Sequence, residues 1–238
     1  MQELGLQVAN VAGRDLLVGP EEFARLRDEL AIDFVSANVR VGGEPLVERF
    51  RVYERQLDGR TVRFGVTGVT VQSRAALEAW NEVAALEFTD PVAAARDVLA
   101  QLRDASDVQI LLAELPPRAL DELVAQDRDG YDLLISSLGR LLESTPVGGT
   151  PVVLSPGSRG KHLAWVNLQS AAGGVAIVGG EVLRLDEKIQ DDPVVATRVL
   201  EFKERLRAAR PTSAEERVSA QDAVQKPQEA AKGAAETP

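Results

Sequence analysis

The chain of 238 residues has no cysteine and a single histidine, His162. The first absence excludes disulfides, zinc–thiolate sites, iron–sulfur clusters and thiol nucleophiles. The second excludes any metal centre or catalytic site that needs two histidines from this chain. A Ser–His–Asp arrangement stays formally open, but no G-x-S-x-G turn is present to expose a serine. Positive charge is short as well: 27 lysines and arginines stand against 37 aspartates and glutamates, a net charge of −10. So acidic a chain lacks the basic footprint that nucleic-acid phosphates require. Charged residues interrupt every apolar run well short of the roughly 18–20 residues of a membrane span. The opening residues, MQELGLQVANVAGRD, lack the basic start and apolar stretch of a signal peptide. No G-x-G-x-x-G follows a strand, so the pairs Gly42-Gly43, Gly148-Gly149, Gly173-Gly174 and Gly179-Gly180 read as turns rather than a dinucleotide site.

What is present suits one domain of ordinary size or two small ones, with chain enough to bury a core. Beyond Pro211 only Val218 and Val224 are sizeable apolar residues. Residues 211–238 therefore read as a disordered tail or linker, and residues 1–210 as the folded domain. Within that domain strands and helices alternate. Gln7–Val11 and Phe34–Val39 read as strands, and Pro20 opens a helix through Glu29. Phe50–Leu57 and Thr61–Val71 read as a hairpin across Asp58-Gly59. Asp90-Pro91 caps a helix to about Arg103, and the apolar run Val108–Leu112 reads as a strand covered on both faces. A helix over Leu115–Gln126 and a strand over Tyr131–Ile135 follow. After Pro151 come strands in succession, VVLS, HLAWVNLQ and GVAIVGGEVLRL, before a last helix from Asp192-Pro193 to about Arg207. Alternating units followed by antiparallel strands predict a layered α/β fold.

Six stretches carry a resemblance in order and spacing: MQELGLQVANVAGRDLLVGPEEFARL, FVSANV, GRTVRFGVTGVT, DVQILLAEL, YDLLIS and PVVLSPGSRGKHLAWVNL. Together they resemble the calcineurin-like metallophosphoesterase domain of the 5′-nucleotidase family, over roughly residues 1–170. The resemblance implies an α/β sandwich of mixed sheets flanked by helices. It also implies two metal ions at strand ends that activate a water and clamp a phosphoester.

The departures fall on the chemistry. Where the family carries Gly-Asn-His-Glu, this chain reads Ala12-Gly13-Arg14-Asp15, while Gly19-Pro20 still matches. Where the family has a metal-binding histidine after the buried strand, this chain has Glu114. Where the family has Gly-Gly-His-Thr-His, this chain has Ser136-Ser137-Leu138-Gly139-Arg140. Leucine cannot ligate a metal, and arginine does not deprotonate to do so. Gly13, Arg14, Glu114, Leu138 and Arg140 are thus degenerate metal-site positions. The family's opening Asp-x-His and Gly-Asp motifs would precede Met1, which reads as an N-terminal truncation that an upstream segment or partner domain completes, or as a remnant.

Arg14, Arg140 and Arg159 are the anion-binding candidates, with guanidinium charge standing where metal charge would be. The plainer reading is a solvated surface. Asp15 reads as a surviving acidic residue or as a cap. Ser155–Gly160 resembles the family's substrate-side Gly-x-x-Gly turn, or is simply a tight turn. His162 reads as a strand residue, and Trp80 and Trp165 as packing residues.

The expected function is a phosphoesterase-fold protein that is non-catalytic, with a binding or scaffolding role and no cofactor, and whose ligand is phosphate or a nucleotide. The alternative is a metal-dependent phosphoester hydrolase, with Mn, Mg or Zn held by ligands supplied upstream or by carboxylates such as Glu114 and Asp15. Family resemblance suggests a periplasmic or extracellular site, although no signal peptide is visible in this chain.

Overall fold

Asp58 and Gly59 set the antiparallel pair of the main sheet. Their φ angles of 50° and 76° give the two-residue left-handed turn that matches strand twist. Across it, β5 (Phe50–Leu57) pairs with β6 (Arg60–Thr70) from Phe50–Thr67 to Leu57–Arg60. The computed structural model describes residues 5–80, 84–126, 130–138, 152–155, 157, 160–171 and 174–208. In it the chain divides into two units, Met1–Asp186 and Glu187–Pro238. The tail boundary expected at Pro211 lies outside the described residues.

In the first unit, β6 also pairs in parallel with β8 (Val108–Glu114). β8 pairs in parallel with β9 (Leu133–Ser136), and β9 with β10 (Val152–Leu154), giving the order β10-β9-β8-β6-β5. One face of this mixed sheet is covered by α3 (Pro91–Ala105) and α4 (Pro117–Gln126). Val98, Leu99 and Leu102 of α3 pack there with Leu111, Leu123 and Leu134. The opposite face carries the hairpin of β11 (His162–Ala171) and β12 (Gly174–Arg184). Alternation along β9 explains both contacts: Leu134 faces the helices, while Leu133 and Ile135 meet Ala164, Val166 and Ile177 of the hairpin.

Two smaller sheets stand beside it. β1 (Val8–Asn10) pairs in parallel with β2 (Asp33–Val35), and β3 (Val39–Val41) lies between β4 (Glu44–Pro45) and β7 (Leu86–Phe88). Their core holds Val11, Leu16, Phe23 and Trp80, from the β1 loop, α1 (Pro20–Glu29) and α2 (Arg74–Trp80). Trp80 donates its indole N–H to the Leu16 carbonyl at 2.7 Å, so its polar tip is satisfied inside an apolar cluster.

The expected strand over Phe34–Val39 is two strands. Between them Ser36 accepts from the Val39 amide at 3.2 Å, and Asn38 turns its side chain into the protein. Tertiary bonds replace the ladder there, and nothing in local propensity signals that. The second unit contains α5 (Pro193–Ala208), capped by Asp192, which accepts from the amides of Val194 and Val195 at 2.9 and 3.0 Å.

Candidate functional site

The register sets Thr70 of β6 beside Glu114 of β8, and Ala113 beside Ser136 of β9. These are the carboxyl ends of neighbouring parallel strands, where the backbone opens into loops and ligands of α/β sheets gather. The loop after β1 joins the same rim. Its entry depends on Gly68, over which the Asn10 side chain lies so closely that a Cβ there would stand 2.1 Å from Asn10 Oδ1.

Four polar side chains and the Gly13 amide knit the rim. The Gly13 amide donates to Glu114 Oε2 at 2.9 Å, across 101 positions of sequence. The Thr70 hydroxyl has one proton to share between the Val11 carbonyl at 2.8 Å and Glu114 Oε2 at 3.1 Å. It also accepts from Asn10 Nδ2 at 3.1 Å. Asn38 is fully buried; its Oδ1 accepts from the Thr70 amide at 2.9 Å, and its Nδ2 donates to the carbonyls of Thr70 and Thr89 at 2.8 and 3.0 Å. One atom is left over: Asn10 Oδ1 is buried without a hydrogen-bond partner among the described residues.

Of the residues singled out from sequence, Gly13 and Glu114 meet directly. Arg14 is exposed and leads into the 3-10 turn Asp15–Val18, where its carbonyl accepts from the Leu17 amide at 3.3 Å. Asp15 is spent locally, its Oδ2 accepting from the Ala12 amide at 2.9 Å as a turn cap. Leu138 is exposed to 47 % beyond β9. Arg140 and Arg159 lie outside the described residues. Gly157 and Gly160 have φ of 75° and 63°, the left-handed region that favours glycine. His162 stands on β11 with Nδ1 buried and without a hydrogen-bond partner among the described residues, and Trp80 is in the core. Sequence reading passed over Asn10, Asn38, Thr70 and Ser73. Asn38 and Thr70 sit inside FVSANV and GRTVRFGVTGVT, but only their meeting across the fold shows them as partners.

A second polar cluster lies at the opposite strand ends. Tyr53 donates to Asp33 Oδ2 at 2.7 Å, and Arg51 reaches Glu48 at 2.9 Å and Asp33 at 3.7 Å. Burial, then the hydrogen bond to Asp33, pushes the Tyr53 phenol above its ordinary range. The cluster borders an open cavity of about 620 Å³ lined by Leu30, Ile32, Phe34 and Val47.

Solved structures share this fold. The calcineurin-like phosphoesterase YfkN of Bacillus subtilis superposes with a TM-score of 0.69 at 17 % identity, over 86 % of this chain and 71 % of its own. The chain has the metallophosphoesterase fold. A 5′-nucleotidase precursor of Thermus thermophilus gives 0.67 at 18 % identity, over 87 % of this chain, and the sulfate thiohydrolase SoxB of the same organism gives 0.68 at 19 %, over 84 %. The chain spans 45 % and 37 % of the length of those two. No protein-family model matches the chain, and no curated protein does.

The family resemblance implies a pair of metal ions at strand ends, and the residues described at this rim do not fit them. No three His, Cys, Asp or Glu side chains converge among the described residues. At Gly13 a Cβ would stand 2.8 Å from the Cβ of Ser73, so the space a longer ligand needs is already filled. Glu114 directs one oxygen onto an amide and a hydroxyl of the protein itself.

Proposed function

We propose that this chain is a non-catalytic module on the metallophosphoesterase fold, serving as a binding or scaffolding unit. The observation that carries the reading is the closure of the rim on itself. Glu114 binds the Gly13 amide and reaches Thr70, and Ser73 packs where a side chain at position 13 would project. A carboxylate bonded this way holds the β1 loop against β8, a task metal ligation would otherwise share. The ligand class we assign is a phosphate or nucleotide monophosphate, drawn to exposed Arg14.

Elemental analysis and calorimetry test this reading together. Purified protein should carry no stoichiometric Mn, Zn or Fe, and neither chelator nor added Mn²⁺ should move its melting temperature. Inorganic phosphate or AMP should bind weakly, and Arg14→Ala should remove that binding. About two metal ions per chain, with phosphomonoester turnover that chelator abolishes, would overturn the non-catalytic reading.

A further inference from the structure

Val195, Val199, Phe202 and Leu206 recur along α5 at intervals of four, three and four residues, which sets them in one line down the helix. All four are exposed, Val195 to 37 % and Phe202 to 54 %, and no residue of α5 is buried. A helix of this length gains little from propensity alone, so its stability in water depends on covering an apolar side.

Charge is sorted around that line. Written as a heptad with Val195 and Phe202 at d and Val199 and Leu206 at a, the flanking g positions are Arg198 and Arg205. The flanking e positions are Ala196 and Lys203, and the two glutamates, Glu201 and Glu204, fall at c and f, away from the seam. Every charge beside the seam is therefore positive, on a chain of net charge −10.

This pattern opposes self-pairing. Parallel copies would set g against e, bringing arginine to lysine, and antiparallel copies would set arginine against arginine. Val194 and Leu200, each exposed to 61 %, fall at c and b, outside that line. The line itself is narrower than the apolar face that interfacial helices sink into lipid, and an anionic membrane would repel the rest of the chain. We propose that α5 is a docking helix for an acidic protein partner, one offering an apolar helix or groove at matching spacing, flanked by glutamate or aspartate. The proposal is independent of whether the strand-end rim carries activity.

The test uses the full chain, isotope-labelled, and two synthetic three-heptad peptides with leucine at a and d. One peptide carries glutamate at e and g, the other lysine. Amide shifts confined to residues 193–208 should appear with the glutamate peptide, at an affinity on the order of tenfold tighter than with the lysine peptide. The triple reversal Arg198→Glu, Lys203→Glu and Arg205→Glu should invert that preference while leaving the seam intact. Phe202→Asp should abolish binding of both. Equal affinity for the two peptides, no binding of either, or partition onto phosphatidylserine vesicles without peptide binding would each overturn the proposal. So would concentration-dependent dimerisation that Phe202→Asp removes.

Discussion

Helices α3 and α5 start from the same two residues and reach opposite ends. Asp90-Pro91 opens α3 and Asp192-Pro193 opens α5, each aspartate accepting from amides of the first turn. Both present apolar residues at helical spacing, Ala95, Val98, Leu99 and Leu102 in one, Val195, Val199, Phe202 and Leu206 in the other. The first four are buried against the main sheet; the second four face solvent. Capping and periodicity thus specify that a helix forms and which side is apolar, but not what covers it. Burial depends on a second surface, and for α3 that surface is β6 and β8.

The largest test of this contrast removes one leucine from each helix. Leu102 has no exposure and Leu206 has 50 %. Leu102→Ala should lower the free energy of urea unfolding by about 2–5 kcal/mol, through lost transfer energy and the cavity left behind. Leu206→Ala should change it by less than about 0.5 kcal/mol, as exposed substitutions do. Equal losses would mean that α5 is packed in solution, and the contrast would collapse.

The rim offers an intermediate case, where burial is polar. Glu114→Ala leaves the Gly13 amide without its acceptor, at a cost of about 1–3 kcal/mol. Glu114→Gln keeps an acceptor oxygen at the same reach and should lose less. If Glu114→Ala melts at the temperature of the unmodified protein, the carboxylate is not what holds the β1 loop.

Caps come next. Asp90→Ala should cost about 1 kcal/mol of global stability, because α3 is part of the cooperative core. Asp192→Ala removes an equivalent cap but should fray α5 alone, seen as faster amide exchange near Val194 and Val195 with an unchanged main transition. A shared drop in the main transition would join α5 to that core.

The same contrast shows what could be read from sequence. Elements whose signals are local stand where expected: α1 spans Pro20–Glu29, the Asp58-Gly59 turn takes its left-handed geometry, and β8 continues through the apolar run. Elements defined by distant partners do not. The break at Ser36–Asn38 comes from Asn38 bonding to Thr70 and Thr89, and α2, β4 and β7 carry no pattern strong enough to announce themselves. At the rim, the departure at Gly13 was visible, but Ser73 is 60 positions away and only the fold brings it over that glycine. Resemblance singled out Gly13 and Glu114; it could not say that the two would bond to each other.

The smallest expected effect concerns Asp132, just before β9 on the packed side of the molecule. Its Oδ2 accepts from the Gln109 amide at 2.7 Å. Burial raises its carboxyl above the ordinary range, against the opposing pull of that amide and of Arg103 on α3. A folded-state value above the unfolded one means that the native protein holds this proton more tightly. The resulting stability is fully present below the unfolded carboxylate value of about 3.9 and is lost as pH rises through the higher folded value. Asp132→Asn removes this loss while keeping an oxygen to accept from Gln109. Relative to the unmodified protein the variant should therefore gain stability as pH rises through the mildly acidic range, then keep a constant offset towards neutrality. Urea midpoints at several pH values read this difference directly. An offset that does not vary with pH would show that Asp132 is as well solvated as a carboxylate on α5.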